Sequence, residues 1–167
     1  MMTEAHSPTN LKENTATHPP ISQNTAAPTH LTIEELLSRD GKIVYKAKGR
    51  NMLPMLRHDH DLVLIEAVNS SSAPPARYDV VLYKVCGKYI LHRVLRTDGN
   101  QYLIRGDNTY SVERVPADAV IGVLTGFVRD GRQISVHDWR YRLYVRIWCA
   151  LYPLRAALMR IRRIARS

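Results

Sequence analysis

Gly49-Arg50-Asn51-Met52-Leu53-Pro54 is the stretch on which the interpretation of this chain depends. Candidate strands flank it on both sides, Ile43–Ala47 before it and Leu62–Glu66 after it, each a short and mainly apolar run. Two acidic residues, Asp59 and Asp61, come just before the second strand. The sequence therefore places these six residues in a loop between two strands.

The strand pattern continues after this loop. Further candidate strands are Val80–Tyr83, Tyr89–Leu95, Gln101–Arg105 and Val120–Val128, with a short one near Gln133–Val136. Asp98-Gly99 and Asp130-Gly131 are typical of the tight turns in β-hairpins. Many short strands at close spacing predict a mainly β fold, in the form of a partly coiled barrel.

Helical signals stand on both sides of the strands. Thr32 and Glu35 form a capping box at the start of a short helix, which Gly41 ends. From Trp139 onward one apolar stripe recurs every three or four residues, and Pro153 is expected to kink or split this helix. The stripe consists of Leu143, Ile147, Leu151, Leu154, Leu158 and Ile161.

Three regions follow from these patterns. Residues 1–30 are polar and predict a disordered tail, because they have almost nothing apolar to bury. Residues 31–137 form the β domain, and residues 138–167 form a basic amphipathic helix. Most of the net charge of +9 belongs to the last region, which contains eight arginines and no acidic residue after Asp138.

Several segments in chain order resemble the signal-peptidase superfamily of serine peptidases. Residues 49–54 resemble its G-x-S-M-x-P box, with Asn51 where that family has its nucleophilic serine. Residues 78–83 resemble its G-D-hydrophobic strand, with Tyr78 in place of glycine. Residues 89–95, 104–108 and 120–122 complete the set, and order and spacing agree over roughly residues 42–128.

The resemblance implies a role for each matching residue. A lysine activates the serine in the bacterial type I and LexA-type members, whereas a histidine does so in the endoplasmic-reticulum type. His92 occupies the general-base position, so the chain resembles the histidine type, and Asp107 matches the acid that orients the histidine. Glu113 lies near the place of a second acid. Gly49, Met52 and Pro54 would help to bind a peptide beside the nucleophile position.

Asn51 removes the first step of this chemistry. A serine hydroxyl gives its proton to neutral imidazole, but an amide is not a nucleophile. Loss of the serine from such a unit typically costs about 10⁶ in turnover. We therefore expect a peptide-binding pseudo-peptidase that binds a polypeptide and does not cut it.

Other interpretations remain open. Ser70, Ser71, Ser72 or Ser111 would be the nucleophile of an active serine endopeptidase, and the β domain would be only a scaffold in a membrane-surface adaptor. His92 on a strand face is also compatible with a structural histidine. The Asp107-Asn108 pair also has the composition of a turn.

The basic C-terminal segment predicts an anionic partner. An anionic membrane surface is favoured, a helix docked on the β domain comes next, and nucleic acid is least favoured because no reading motif accompanies the arginines. The arginines that would contact the membrane are Arg140, Arg142, Arg146, Arg155, Arg160, Arg162 and Arg163.

The sequence shows no disulfide, metal-binding, secretory or membrane-spanning pattern. Cys86 and Cys149 form no disulfide framework and no metal pattern, so we expect no metal and no cofactor. No secretory signal begins the sequence, and no run of about 18 apolar residues could span a bilayer. We expect a cytoplasmic protein, or one bound peripherally to the inner face of a membrane.

Overall fold

A computed structural model describes residues 31–69 and 71–164 of the 167-residue chain. The predicted disordered tail, residues 1–30, lies outside the described residues. From Leu31 onward the described residues belong to one compact unit. The elements, in chain order, are α1 (Ile33–Asp40), β1 (Lys42–Lys46), β2 (Leu62–Ala67), β3 (Val80–Val85), β4 (Lys88–Asp98), β5 (Gln101–Arg105), β6 (Glu113–Pro116), a short 3-10 helix (Ala117–Ala119), β7 (Val120–Arg129), β8 (Arg132–Ser135), α2 (Trp139–Ala150) and α3 (Tyr152–Ile164).

The predicted mainly β fold is confirmed. All eight strands join one antiparallel sheet in the order β1-β2-β7-β3-β4-β5-β6, with β8 paired to the second half of β7. The sheet is not closed, because its terminal strands β1 and β6 are not paired with each other. β6 was not predicted, since it has only four residues and ends in a proline, which weakens a strand signal.

The central strands are buried on both faces. Val80 and Leu82 of β3 lie in one apolar cluster, whereas Val81 and Tyr83 of the same strand lie in a second cluster on the other face. Successive strand residues point to opposite faces, so β3 separates the two clusters. The Tyr83 side chain has no exposed surface. A polar group on this strand must therefore find its partners inside the protein.

Helix α1 forms where its capping residues predicted it, and it packs against one end of the sheet. The Glu35 amide donates to Thr32 Oγ1 at 3.2 Å, and the Thr32 amide donates to Glu35 Oε2 at 2.7 Å. Gly41 ends the helix with φ +70°, where a side chain would be strained. Glu34 receives a hydrogen bond from Tyr89 and pairs with Lys84 at 2.6 Å. These contacts tie α1 to the β3–β4 hairpin.

The helical region predicted from Trp139 is also confirmed. Asp138 caps α2, its Oδ1 accepting from the Arg140 amide at 2.7 Å. Helical bonding continues across the junction with α3: the Leu151 amide donates to Ile147 O at 3.0 Å, and the Arg155 amide donates to Leu151 O at 3.1 Å. No helix in the described part of the chain is both long and apolar enough to cross a bilayer.

Candidate functional site

The loop between β1 and β2 contains the Asn51 stretch, and two backbone hydrogen bonds join its two ends. The Ala47 amide donates to Asp61 O at 2.8 Å, and the Asp59 amide donates to Ala47 O at 2.8 Å. The Asp61 carboxylate has no exposed surface and pairs with Arg129 of β7 at 2.5 Å. Burial alone would raise the pKa of Asp61, but hydrogen bonds from Arg129 and the Arg57 amide lower it below its ordinary value. The loop is therefore held as a formed unit.

The segment after β5 clasps this loop from the other side. The Asn108 amide donates to Asn51 O at 2.7 Å, and Asn108 Nδ2 donates to Arg50 O at 3.2 Å. A Cβ added at Gly106 would lie 2.7 Å from Asn51 O, closer than real Cβ atoms approach. Glycine is required at position 106 because the two backbones touch there. The Gly106-Asp107-Asn108 motif thus fixes the position of Asn51.

Asn51 and His92, the residues that the resemblance assigns to the nucleophile and base positions, lie side by side. Asn51 Nδ2 lies 3.4 Å from His92 Nε2. His92 lies on β4 and is 3% exposed, whereas Asn51 is exposed at the surface. The other ring nitrogen of His92, Nδ1, lies 3.0 Å from the Tyr83 hydroxyl. Tyr83 in turn donates to Glu113 Oε2 at 2.7 Å.

The tautomer of His92 follows from this network. Because Tyr83 donates its only proton to Glu113, it accepts a hydrogen bond from His92 Nδ1–H. Nε2 is then the unprotonated nitrogen, and its lone pair faces Asn51. Burial lowers the pKa of His92 below its ordinary value of 6.5, although the charges of Glu113 and Asp107 act in the opposite direction. His92 is therefore a neutral imidazole with its basic nitrogen directed at residue 51.

Asp107 does not occupy the orienting position that the resemblance implied. Its carboxylate accepts two hydrogen bonds from Arg93, from Nε to Oδ1 at 2.8 Å and from Nη2 to Oδ2 at 2.6 Å. Both side chains are buried. Burial alone would lower the pKa of Arg93, but the hydrogen bonds and charge of Asp107 raise it above its ordinary value. Asp107 contributes charge near His92, while Tyr83 and Glu113 hold the ring.

A groove of about 690 Å³ opens beside Asn51. Its walls come from α1, the end of β1, the Asn51 loop and the first half of β4. Gly49 and Met52, both predicted to bind peptide, line this groove, although Met52 is only 5% exposed and packs mainly in the core. Pro54 is exposed and does not line it. The groove has an apolar floor and a basic rim that includes Lys46 and Lys88.

The serines considered as displaced nucleophiles lie away from this centre. Ser71 and Ser72 hydrogen-bond with Asn69 in an exposed loop, and Ser111 is exposed before β6. None of these three bonds to His92, whose ring contacts are Asn51, Tyr83 and Glu113. Ser70 lies outside the described residues.

Two residues of the site were not predicted from the sequence. Tyr83 has the alternation of a core aromatic, and only its hydroxyl group signals that it needs a polar partner. Arg93 follows His92 on β4 and is 1% exposed. A charged residue inside an apolar strand pattern is the available signal, since a buried arginine requires a carboxylate.

Two comparisons with known proteins found no match. The chain matches no protein-family model, and no curated protein is significantly similar to it. The resemblance to signal peptidases therefore depends on the chain's own residues. Its segments 49–54, 78–83, 89–95 and 104–108 meet in one place, through Asn51, Tyr83, His92 and Asn108.

The Arg93–Asp107 pair gives a stability prediction. Asp107→Ala leaves a guanidinium buried without its carboxylate, so we expect the free energy of unfolding to fall by about 3–5 kcal/mol in urea titrations. Arg93→Met combined with Asp107→Leu should recover most of this loss, because no unpaired charge remains. The matched control is Asp40→Ala, which breaks an exposed pair with Arg39 and should change the free energy of unfolding far less, because solvent screens the pair. Equal losses in Asp107→Ala and the control would contradict this account.

The lowered pKa of His92 gives a pH prediction. Between about pH 6.5 and the lower pKa of folded His92, the unfolded chain binds a proton that the folded protein does not, so stability falls as the pH drops from 6.5 towards the folded pKa. His92→Gln removes this proton linkage and leaves the other histidines in place. Thermal melts between pH 7.5 and 5 should therefore show a larger loss of Tm in the wild type than in the variant. Identical pH dependence of the two proteins would refute the buried neutral imidazole.

Proposed function

We propose that this protein is a pseudo-peptidase of the signal-peptidase superfamily, which binds an extended polypeptide and does not hydrolyse it. In this proposal the eight-stranded sheet corresponds to the coiled barrel of that superfamily. One observation carries the proposal: His92 Nε2 is directed at the side chain of residue 51, and that residue is an asparagine. His92 has the position of a general base, and residue 51 lacks the hydroxyl group that this base would activate.

The network around His92 supports this assignment. A general base needs one ring nitrogen free towards the nucleophile and the other held by a partner that stabilises the charged ring. Tyr83 holds Nδ1, and the carboxylate of Glu113 lies 3.7 Å from the same nitrogen. Glu113 takes the role that Asp107 was expected to have, acting largely through Tyr83. An amide at residue 51 has no proton that neutral imidazole can remove.

The groove supports binding of an extended peptide. Within the described part of the chain, β1 pairs only with β2, and the segment Lys88–His92 pairs only with β3. Both strands therefore have an edge that a peptide backbone can join by β-augmentation. Ile33, Met52 and Leu91 provide an apolar lining for an apolar side chain of the peptide. The lysines at the rim favour acidic residues next to it in the peptide.

Asn51 itself suits binding without cleavage. One N–H of its amide faces His92, which leaves a second N–H and Oδ1 for other partners. Because the residue is exposed and lines the groove, these groups can bond to the backbone of a bound peptide. An active enzyme with a displaced serine is the weaker alternative, since no described serine bonds to His92.

Restoring the nucleophile tests the proposal. We expect Asn51→Ser to cleave members of a synthetic peptide library at least about 10²-fold faster than the wild type, because a positioned base contributes that much. Asn51→Ser/His92→Gln should return to the wild-type level. Asn100→Ser, the same substitution in the β4–β5 turn, is the matched control and should not cleave. Mass spectrometry of the library identifies the cleaved peptides.

The same peptides then test binding. Wild type should bind a peptide that Asn51→Ser cleaves, measured by fluorescence anisotropy, and Ile33→Glu in the groove wall should weaken binding about tenfold or more. Cleavage by wild type that is lost in Ser111→Ala would establish the displaced nucleophile instead. If wild type binds none of the peptides and Asn51→Ser cleaves none, the proposed function is wrong.

A further inference from the structure

The apolar stripe of the C-terminal helices faces solvent. Each of its six residues is about half exposed or more: Leu143 49%, Ile147 52%, Leu151 47%, Leu154 61%, Leu158 51% and Ile161 61%. We call this set the outer stripe. Leucine and isoleucine side chains exposed singly are common on protein surfaces, but a contiguous row of six indicates an interaction surface.

The outer stripe is continuous across the junction of α2 and α3. Its members are spaced by four, four, three, four and three residues, which keeps them on one face of a helix. The backbone bonds from Leu151 to Ile147 and from Arg155 to Leu151 preserve the helical path despite Pro153. The stripe extends about 27 Å at the rise of an α-helix. It is a long, narrow surface, not a local patch.

A different face of these helices already packs on the β domain. Val145 is 3% exposed, and Tyr141 packs against Phe127 with ring centroids 6.4 Å apart. Arg155 donates to Asp107 O, and the Arg105 guanidinium lies 3.1 Å from the Tyr152 ring centroid. Because these contacts occupy the inner face, the helices do not need the outer stripe in order to dock. The stripe is left available for a partner.

The charge around the stripe favours an anionic partner. Arg140, Arg142 and Arg146 are exposed on α2, and no acidic residue follows Asp138. Trp139, 67% exposed, lies at the start of the same helix. The side chains of Arg160, Arg162 and Arg163 lie outside the described part of the chain. An apolar row with arginines and an aromatic residue beside it has the composition of a helix that lies in a membrane interface.

We propose that the outer stripe binds the surface of an anionic lipid bilayer, with the helices parallel to the membrane plane. The stripe would enter the interface and the neighbouring arginines would contact lipid phosphates. A second copy of the chain fits less well. A symmetric contact would bring two sets of arginines together, and these helices have no acidic residues after Asp138 to offset the repulsion. Nucleic acid would match the arginines but leave the leucines exposed to water.

Vesicle co-sedimentation of the full chain tests this proposal. We expect binding to vesicles of phosphatidylcholine with roughly a third phosphatidylglycerol, and much weaker binding to phosphatidylcholine alone. Ile147→Glu/Leu154→Glu should weaken binding about tenfold or more, because two charges replace apolar contacts with the membrane. Val44→Glu/Leu62→Glu alters two exposed apolar residues of β1 and β2, 61% and 38% exposed, and should bind like the wild type.

Three results would overturn the proposal. The first is vesicle binding that Ile147→Glu/Leu154→Glu leaves unchanged, with an unchanged Tm as the check that the variant is folded. The second is concentration-dependent self-association that the same variant abolishes, without vesicle binding, which would assign the stripe to a second copy. The third is tighter binding to an RNA oligonucleotide than to the anionic vesicles. Peptide binding should persist in the stripe variant, so this test is independent of the proposed function.

Discussion

The buried ion pair between Arg93 and Asp107 is the interaction on which the rest of the site depends. It joins the middle of β4 to the segment after β5, and the same guanidinium donates to Tyr78 O and Met55 Sδ. In the segment after β5, the Asn108 amide donates to the backbone oxygen of Asn51. Met55 belongs to the Asn51 loop. An uncompensated charge in this interior would be costly, so the pair keeps both segments in register. Residue 51 therefore lies beside His92 because of contacts that do not involve its own side chain.

In our proposal, this arrangement keeps the geometry of a peptidase-like site in the absence of a nucleophile. Backbone hydrogen bonds close the base of the loop, Asn108 bonds to its backbone, and the Asp61 carboxylate pairs with Arg129. None of these contacts requires serine at position 51. The Asn51 amide lies beside His92 Nε2, the nitrogen that would activate a serine hydroxyl in our proposal. In that proposal, asparagine at position 51 prevents hydrolysis, while the groove and the strand edges beside it are formed by other residues. In our proposal, binding is then the function that remains.

Much of the fold could be predicted because alternation and turn residues are local signals. The strand Gln101–Arg105 and the capping box of Thr32 are found where the sequence placed them. Of the partners of His92, Tyr83 could not be predicted, since it has the pattern of a core residue, and Glu113 was noted only as lying near the place of a second acid. The faces of the C-terminal helices were equally ambiguous. Tyr141, Val145 and Trp148 also recur at helical spacing, and only tertiary contacts decide which face docks.

The central claim is that His92 is a neutral base whose free nitrogen faces residue 51. The most direct test is nitrogen-15 NMR of the imidazole rings in histidine-labelled protein at pH 7, where His92→Gln identifies the His92 signals among those of the seven histidines. We predict a neutral ring with the proton on Nδ1 and an unprotonated Nε2, unchanged in Asn51→Ser. A charged ring at this pH, or a proton on Nε2, would contradict the account.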